Sequence, residues 1–136
     1  LAWGGGIGFA IALTALVPAY LDGRALLPTT MSVPLFSVLT VAPAFEEFLA
    51  RGALLGGLQQ TTSFARANLF SALMFLGMHL PGWYFMGSLG ANLTRPAGGA
   101  VSIVLLGLAF GYAVHRSRSV LGGTIAHFLN NLAANA

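Results

Sequence analysis

Charge is what this sequence has least of. Only 7% of its 136 residues are Asp, Glu, Lys or Arg, against about 25% in an average soluble domain. A water-facing surface cannot be assembled from so few charges, which excludes a soluble globular protein. Cysteine is absent, so disulfides and thiolate metal sites are excluded as well. Lysine is absent too: all six basic residues are Arg, and the three acidic ones are Asp22, Glu46 and Glu47. A net charge of +3 does not indicate a nucleic-acid partner here. Five of the Arg lie in or beside the breaks between apolar stretches, where membrane helices keep their cations.

What is present is apolar sequence, 57% of the chain, at a mean hydropathy of +0.82. Residues 1–21, 25–45, 67–94, 96–114 and 119–136 contain no charged side chain. A bilayer-spanning helix needs about 20 largely apolar residues, and most of these runs are near that length. The composition therefore predicts an all-α, polytopic transmembrane bundle of about five helices, with membrane lipid as its surroundings. The first run lacks the basic n-region of a signal peptide and begins at Leu1 rather than Met. The expectation is one transmembrane domain over 1–136, preceded in a longer protein by further helices.

Turn signals place the helices at about Trp3–Tyr20, Val33–Gln59, Ala67–His79, Gly98–Val114 and Val120 to the end. Pro34 and Pro43 predict kinks in the second helix, and Pro81 predicts the end of the third. "PGWYFMGSLGANLTRPAGG" is too broken by Gly and Pro to span. Arg66, Arg116 and Arg118 fall on one side of this bundle, Arg24 and Arg95 on the other. The position of His79 places the polar site toward the Arg24/Arg95 side.

Against this background "AFEEFLARG", residues 44–52, needs an explanation. An ionised side chain at the centre of a membrane helix costs about 2.5–3.5 kcal/mol, so three within six residues would cost roughly 7–10 kcal/mol facing lipid unpaired. They must face the bundle interior and pair. Glu47 and Arg51 are four apart, on one helix face, with Glu first, the better orientation for an ion pair. Glu46 points about 100° away and is left without a charge partner in its own helix. Desolvation makes a carboxylate a stronger base, which suits general base catalysis.

Other polar groups lie on separate apolar helices. His79 follows Phe75 by four residues, and His127 precedes Asn131 by four, so each pair shares a face. Ionisable groups inside the membrane mark functional sites, although an interhelical clamp would use the same residues. His115 belongs to the basic turn "HRSRS" and reads as solvated. The His-Glu-x-x-His of site-2 zinc proteases is absent. Ser71, Ser88 and Ser102 lack the setting of a rhomboid-like nucleophile, and no Asp lies within an apolar span.

Glu46-Glu47-x-x-x-Arg51, Phe75-x-x-x-His79 and His127-x-x-x-Asn131, with the lead-in "HRSRSVLGGTIAHFLNN", resemble the three motifs of the CPBP intramembrane proteases. That group includes the Rce1-type CAAX prenyl endopeptidases and the bacterial Abi proteins. The resemblance covers about residues 40–136. It implies that Glu46 and His79 activate a water molecule, that His127 and Asn131 stabilise the oxyanion, and that Glu47 and Arg51 support the site. A Glu and two His could in principle hold Zn. The Asn partner of His127 suits an oxyanion better than a metal, so metal-free catalysis without a cofactor is expected.

The expected partner is a peptide or protein substrate, lipidated or not, and the expected setting is a bacterial plasma membrane. Two other readings stay open. One is a non-catalytic immunity or scaffold protein that keeps the polar cluster as a clamp. The other is a proton-coupled transporter using Glu46 and His79 as a relay.

Overall fold

The computed structural model describes residues 1–136, and every regular element in it is helical. The elements are α1 (Ala2–Leu21), α2 (Val33–Leu58), α3 (Phe64–Phe85), α4 (Leu89–Thr94), α5 (Ala100–Ser117) and α6 (Val120–Ala134). Five long rods and one short helix thus form the bundle. Three of them, α1, α2 and α5, are long and apolar enough to cross a membrane. At 22 residues α3 is long enough as well, but Arg66, Asn68, Ser71 and His79 make it less apolar. The 15 residues of α6 span only about 22 Å.

Two expectations drawn from proline need correction. Pro81 does not end α3, which runs on to Phe85. Proline withholds one N–H from the helix, here the one that would reach the Gly77 carbonyl, and a neighbouring-helix environment tolerates that loss. The helix stops instead at Gly87, whose φ is +67°. The Ser88 N–H donates to the Trp83 carbonyl and the Gly87 N–H to that of Tyr84, the paired bonds of a Schellman cap that needs a left-handed residue. Pro34 causes no kink either, because it lies in the first turn of α2, where no hydrogen bond is lost.

The irregularity near Pro43 takes another form. Ser37–Val41 and, further on, Phe48–Leu55 are wound as π-helix within the continuous α2 rod. Segments of this kind are rare and concentrate at functional sites.

The most extensive packing is between α1 and α6, which run parallel. Gly4 faces Gly122, and Gly8 faces Ala126, closely enough that a methyl on either would meet backbone. Small residues four apart let membrane helices approach in this way. Behind that contact, Phe110, Ala113 and Ala126 form a buried core. At one end of the bundle the His115 ring stacks on Phe64 at 4.0 Å, and the Arg116 guanidinium lies 4.4 Å from the centre of the Trp3 ring. Arg66, Arg116 and Arg118 gather at that end and Arg24 at the other, as the turn order predicts.

Candidate active site

The charged cluster assembles around Glu47. Its Oε1 accepts a hydrogen bond from Arg51 Nη1 at 2.9 Å, the ion pair expected from their spacing. The same oxygen lies 3.1 Å from His127 Nδ1. Glu47 and Arg51 are fully buried, and His127 nearly so. Arg51 also donates from Nη2 to the Gly107 carbonyl at 2.9 Å. Its guanidinium carbon stands 4.3 Å above the Phe75 ring and 5.7 Å from that of Phe110. A guanidinium out of water is favoured by such ring faces. Burying a charged pair is favourable only where hydrogen bonds satisfy most of its atoms, and these contacts do so on one side.

Glu46 is placed differently. Its side chain is 25% exposed, and its Oε2 lies 3.9 Å from His127 Nε2. One carboxylate is therefore enclosed and committed to Arg51, while its neighbour remains accessible. The two nitrogens of His127 face the two glutamates. The ring itself is stacked on Phe110, with centroids 4.7 Å apart.

His79 joins the cluster through Phe75. The Phe75 ring lies 4.9 Å from the His79 ring and 5.7 Å from the His127 ring. His79 Nδ1 is 2.8 Å from the Phe75 carbonyl. A carbonyl only accepts, so Nδ1 carries the proton and Nε2 of the neutral ring is left with its lone pair. No nitrogen of His79 comes within 4.0 Å of a carboxylate.

Asn131 reaches toward α2 rather than toward the carboxylates. Its Nδ2 donates to the Val38 carbonyl at 3.0 Å, and its Oδ1 accepts from Asn130. The backbone explains the first bond. In the π-wound segment each N–H reaches five residues back, as the Ala42 N–H does to the Ser37 carbonyl. The next donor in that series would be residue 43, the partner of the Val38 carbonyl. Residue 43 is proline and has no N–H. The Asn131 amide supplies the missing donor and ties α6 to α2 upstream of Glu46.

The structure thus brings Glu46, Glu47, Arg51 and His127 into contact, sets His79 beside them across Phe75, and engages Asn131 on Val38. Glu47 lies level with Gly123 near the start of α6, at the Arg118 end, whereas His79 lies late in α3. The carboxylates therefore sit closer to the Arg118 end than the position of His79 alone suggested. Phe110, Gly107 and Gly123 contribute to the site without any signal in their own sequence context. No three His, Asp or Glu side chains converge as a metal-ligand set. A cavity of about 650 Å³ between α1, α5 and α6 is mostly apolar and is lined by none of the six candidate residues.

Comparison with known proteins gives the family. The family model described as type II CAAX prenyl endopeptidase, Rce1-like, matches residues 28–133, a span holding all six candidate residues. No curated protein matches, and no solved structure does. The chain is a helical integral membrane protein, and by this match it belongs to the Rce1-like family of type II CAAX prenyl endopeptidases.

Proposed function

We propose that the protein is an intramembrane endopeptidase that hydrolyses peptide bonds with a water molecule activated by Glu46 and His79. The observation that carries this reading is the contrast between the two glutamates. Glu47 is enclosed and held by Arg51, while Glu46 is accessible and free of an arginine partner. An accessible carboxylate in an apolar site is a candidate general base. His79, with its proton fixed on Nδ1 by the Phe75 carbonyl, offers the Nε2 lone pair to the same water as an acceptor. The proton that Glu46 takes from that water passes on to the leaving amine. Since the two groups are not in direct contact, the reading requires the water to bridge them.

The tetrahedral oxyanion would be met by His127 and Asn131. Asn131 Nδ2 has a second hydrogen beyond the one given to Val38. His127 donates from Nε2 only if both ring nitrogens carry protons, since Nδ1 faces Glu47. A charged ring there is flanked by both carboxylates. Arg51 and Glu47 hold the assembly in position.

We assign no metal to the reaction, because the Asn partner of His127 suits an oxyanion better than a metal. Treatment with a strong chelator should leave cleavage intact, and loss of cleavage restored by Zn²⁺ alone would overturn this point. The substrate class we propose is a membrane-bound peptide or protein, with the prenylated C-terminal peptides of the family's name as the first to test, and the setting a bacterial plasma membrane. One observation favours a non-catalytic clamp instead: His127 Nδ1 and Asn131 Nδ2 both already bond to the protein. Cleavage of a quenched, membrane-anchored peptide in proteoliposomes separates the two. Glu46→Gln keeps the shape and removes the basicity, so turnover should fall by at least the roughly 10²–10⁴-fold of a general base. Wild-type turnover by that variant leaves the clamp as the account.

A further inference from the structure

A second polar site lies at the Arg118 end, where the turn between α5 and α6 meets the end of α2. It is a cavity of about 310 Å³ lined by Gln59, His115, Arg118 and Ser119, with Arg51 lining it from the protein interior. Water occupies about 30 Å³ per molecule, so the space suits a small anion with some of its hydration. None of the three acidic side chains of the protein lines it. Arg118 therefore meets no acidic side chain on the cavity wall, while Arg51 shares its charge with Glu47 behind it.

Arg51 gives the site its chemical direction. Its Nη1 is bonded to Glu47 and its Nη2 to the Gly107 carbonyl. Its Nε–H is buried and has no hydrogen-bond partner, although the side chain is only 1% exposed. A donor on a permanently charged group calls for an acceptor, and an anionic oxygen is the strongest one. The His115 ring is held against Phe64 at 4.0 Å. Ser119 and Val120 bring the first turn of α6, a 15-residue helix, to the cavity wall, and its positive end adds to the field. Trp3 and Tyr112 pack edge to face at 6.3 Å at this same end of the bundle, and such aromatics sit at headgroup level in a membrane.

We propose that this cavity binds a phosphate group, with Arg118 and His115 as its outer wall and Arg51 Nε–H as its buried donor. Phosphate fits because it offers several charged oxygens that diverge toward donors on different sides. Two sources present that chemistry here, the headgroup of an anionic phospholipid and free inorganic phosphate. The site does not depend on the protease reading, and its test involves no cleavage.

The test uses protein purified in a non-ionic maltoside detergent. Retained phosphatidylglycerol is counted by native mass spectrometry, and inorganic phosphate binding is followed by phosphorus NMR line broadening. Saturable binding of phosphatidylglycerol without inorganic phosphate assigns the site to a headgroup; saturable binding of inorganic phosphate that displaces the lipid assigns it to the free anion. Arg118 has a φ of +53°, a conformation that Asn tolerates, so Arg118→Asn removes the charge without backbone strain. It should weaken binding about tenfold, the loss of one charge-assisted bond. Arg118→Lys should retain most of the affinity, and Arg24→Asn at the opposite end should change nothing. If Arg118→Asn does not fold, Gln59→Glu places a carboxylate on the same wall and should weaken binding equally. Absence of saturable binding by both ligands, or equal losses in Arg118→Asn and Arg24→Asn, overturns the proposal.

Discussion

Glu47 meets two partners through one oxygen. Oε1 faces both Arg51 and His127, while Oε2 is buried with no partner, against Gly123. A methyl at position 123 would stand 2.6 Å from Oε2 and 2.7 Å from Val114 Cγ2. Overpacking of this kind costs about 1–3 kcal/mol. Glu47 cannot retreat without loosening Arg51, so Gly123→Ala should lower the thermal unfolding midpoint in detergent. Arg51→Ala should lower it further, because removing one side of a buried pair costs about 3–5 kcal/mol. An Arg51→Ala protein with wild-type thermal stability and yield would count against the supporting role. Much of this was legible in the sequence. Spacing of four predicted the Glu47–Arg51 contact, and the scarcity of charge singled out Glu46, Glu47 and Arg51. The His127 contact with Glu47 was not legible, because it depends on the register between α6 and α2, which no local pattern encodes.

At the scale of the element, α2 departs most from what its sequence suggested. Pro43 announced an irregularity, but not that the chain upstream would widen into π-helix and orphan the Val38 carbonyl. Asn131 stands for that reason in two positions at once, as a proposed oxyanion donor and as the stand-in for a proline's missing N–H. The two roles separate experimentally. Asn131→Ala should cost roughly 10²–10³ in turnover if an oxyanion donor is lost, and about 1 kcal/mol in stability from the unpaired carbonyl. Pro43→Ala restores a backbone donor for the Val38 carbonyl. In that background the stability cost of Asn131→Ala should shrink by roughly 0.5–1.5 kcal/mol, while the loss of turnover should persist. Paired thermal unfolding and proteoliposome cleavage measure both. If the turnover loss disappears together with the stability cost, Asn131 acts by positioning α2 alone. The end of α3 gives a similar lesson: Pro81 was the visible stop signal, yet Gly87 supplies the left-handed residue that closes the helix.

Across the whole molecule, the family match begins at residue 28 and so leaves out α1, which nevertheless packs along α6, the helix that presents His127 and Asn131. The approach depends on Gly8, where a Cβ would come within 2.6 Å of the Ala126 Cα and 2.9 Å of a Leu129 methyl. Backbone cannot yield as a flexible side chain can. Gly8→Ala should therefore wedge α1 from α6 next to His127, costing about 1–3 kcal/mol and lowering turnover in the same protein. Gly5 lies in the same helix with nothing within 4 Å of its would-be Cβ. Gly5→Ala should be neutral or stabilise by up to about 1 kcal/mol, the intrinsic gain of Ala over Gly in a helix. Thermal unfolding of the two variants in one detergent makes the comparison, with cleavage measured alongside. Equal effects at Gly5 and Gly8 would mean that α1 is held by general apolar packing. A selective loss at Gly8 that extends to turnover would make the fit between α1 and α6 part of what positions His127.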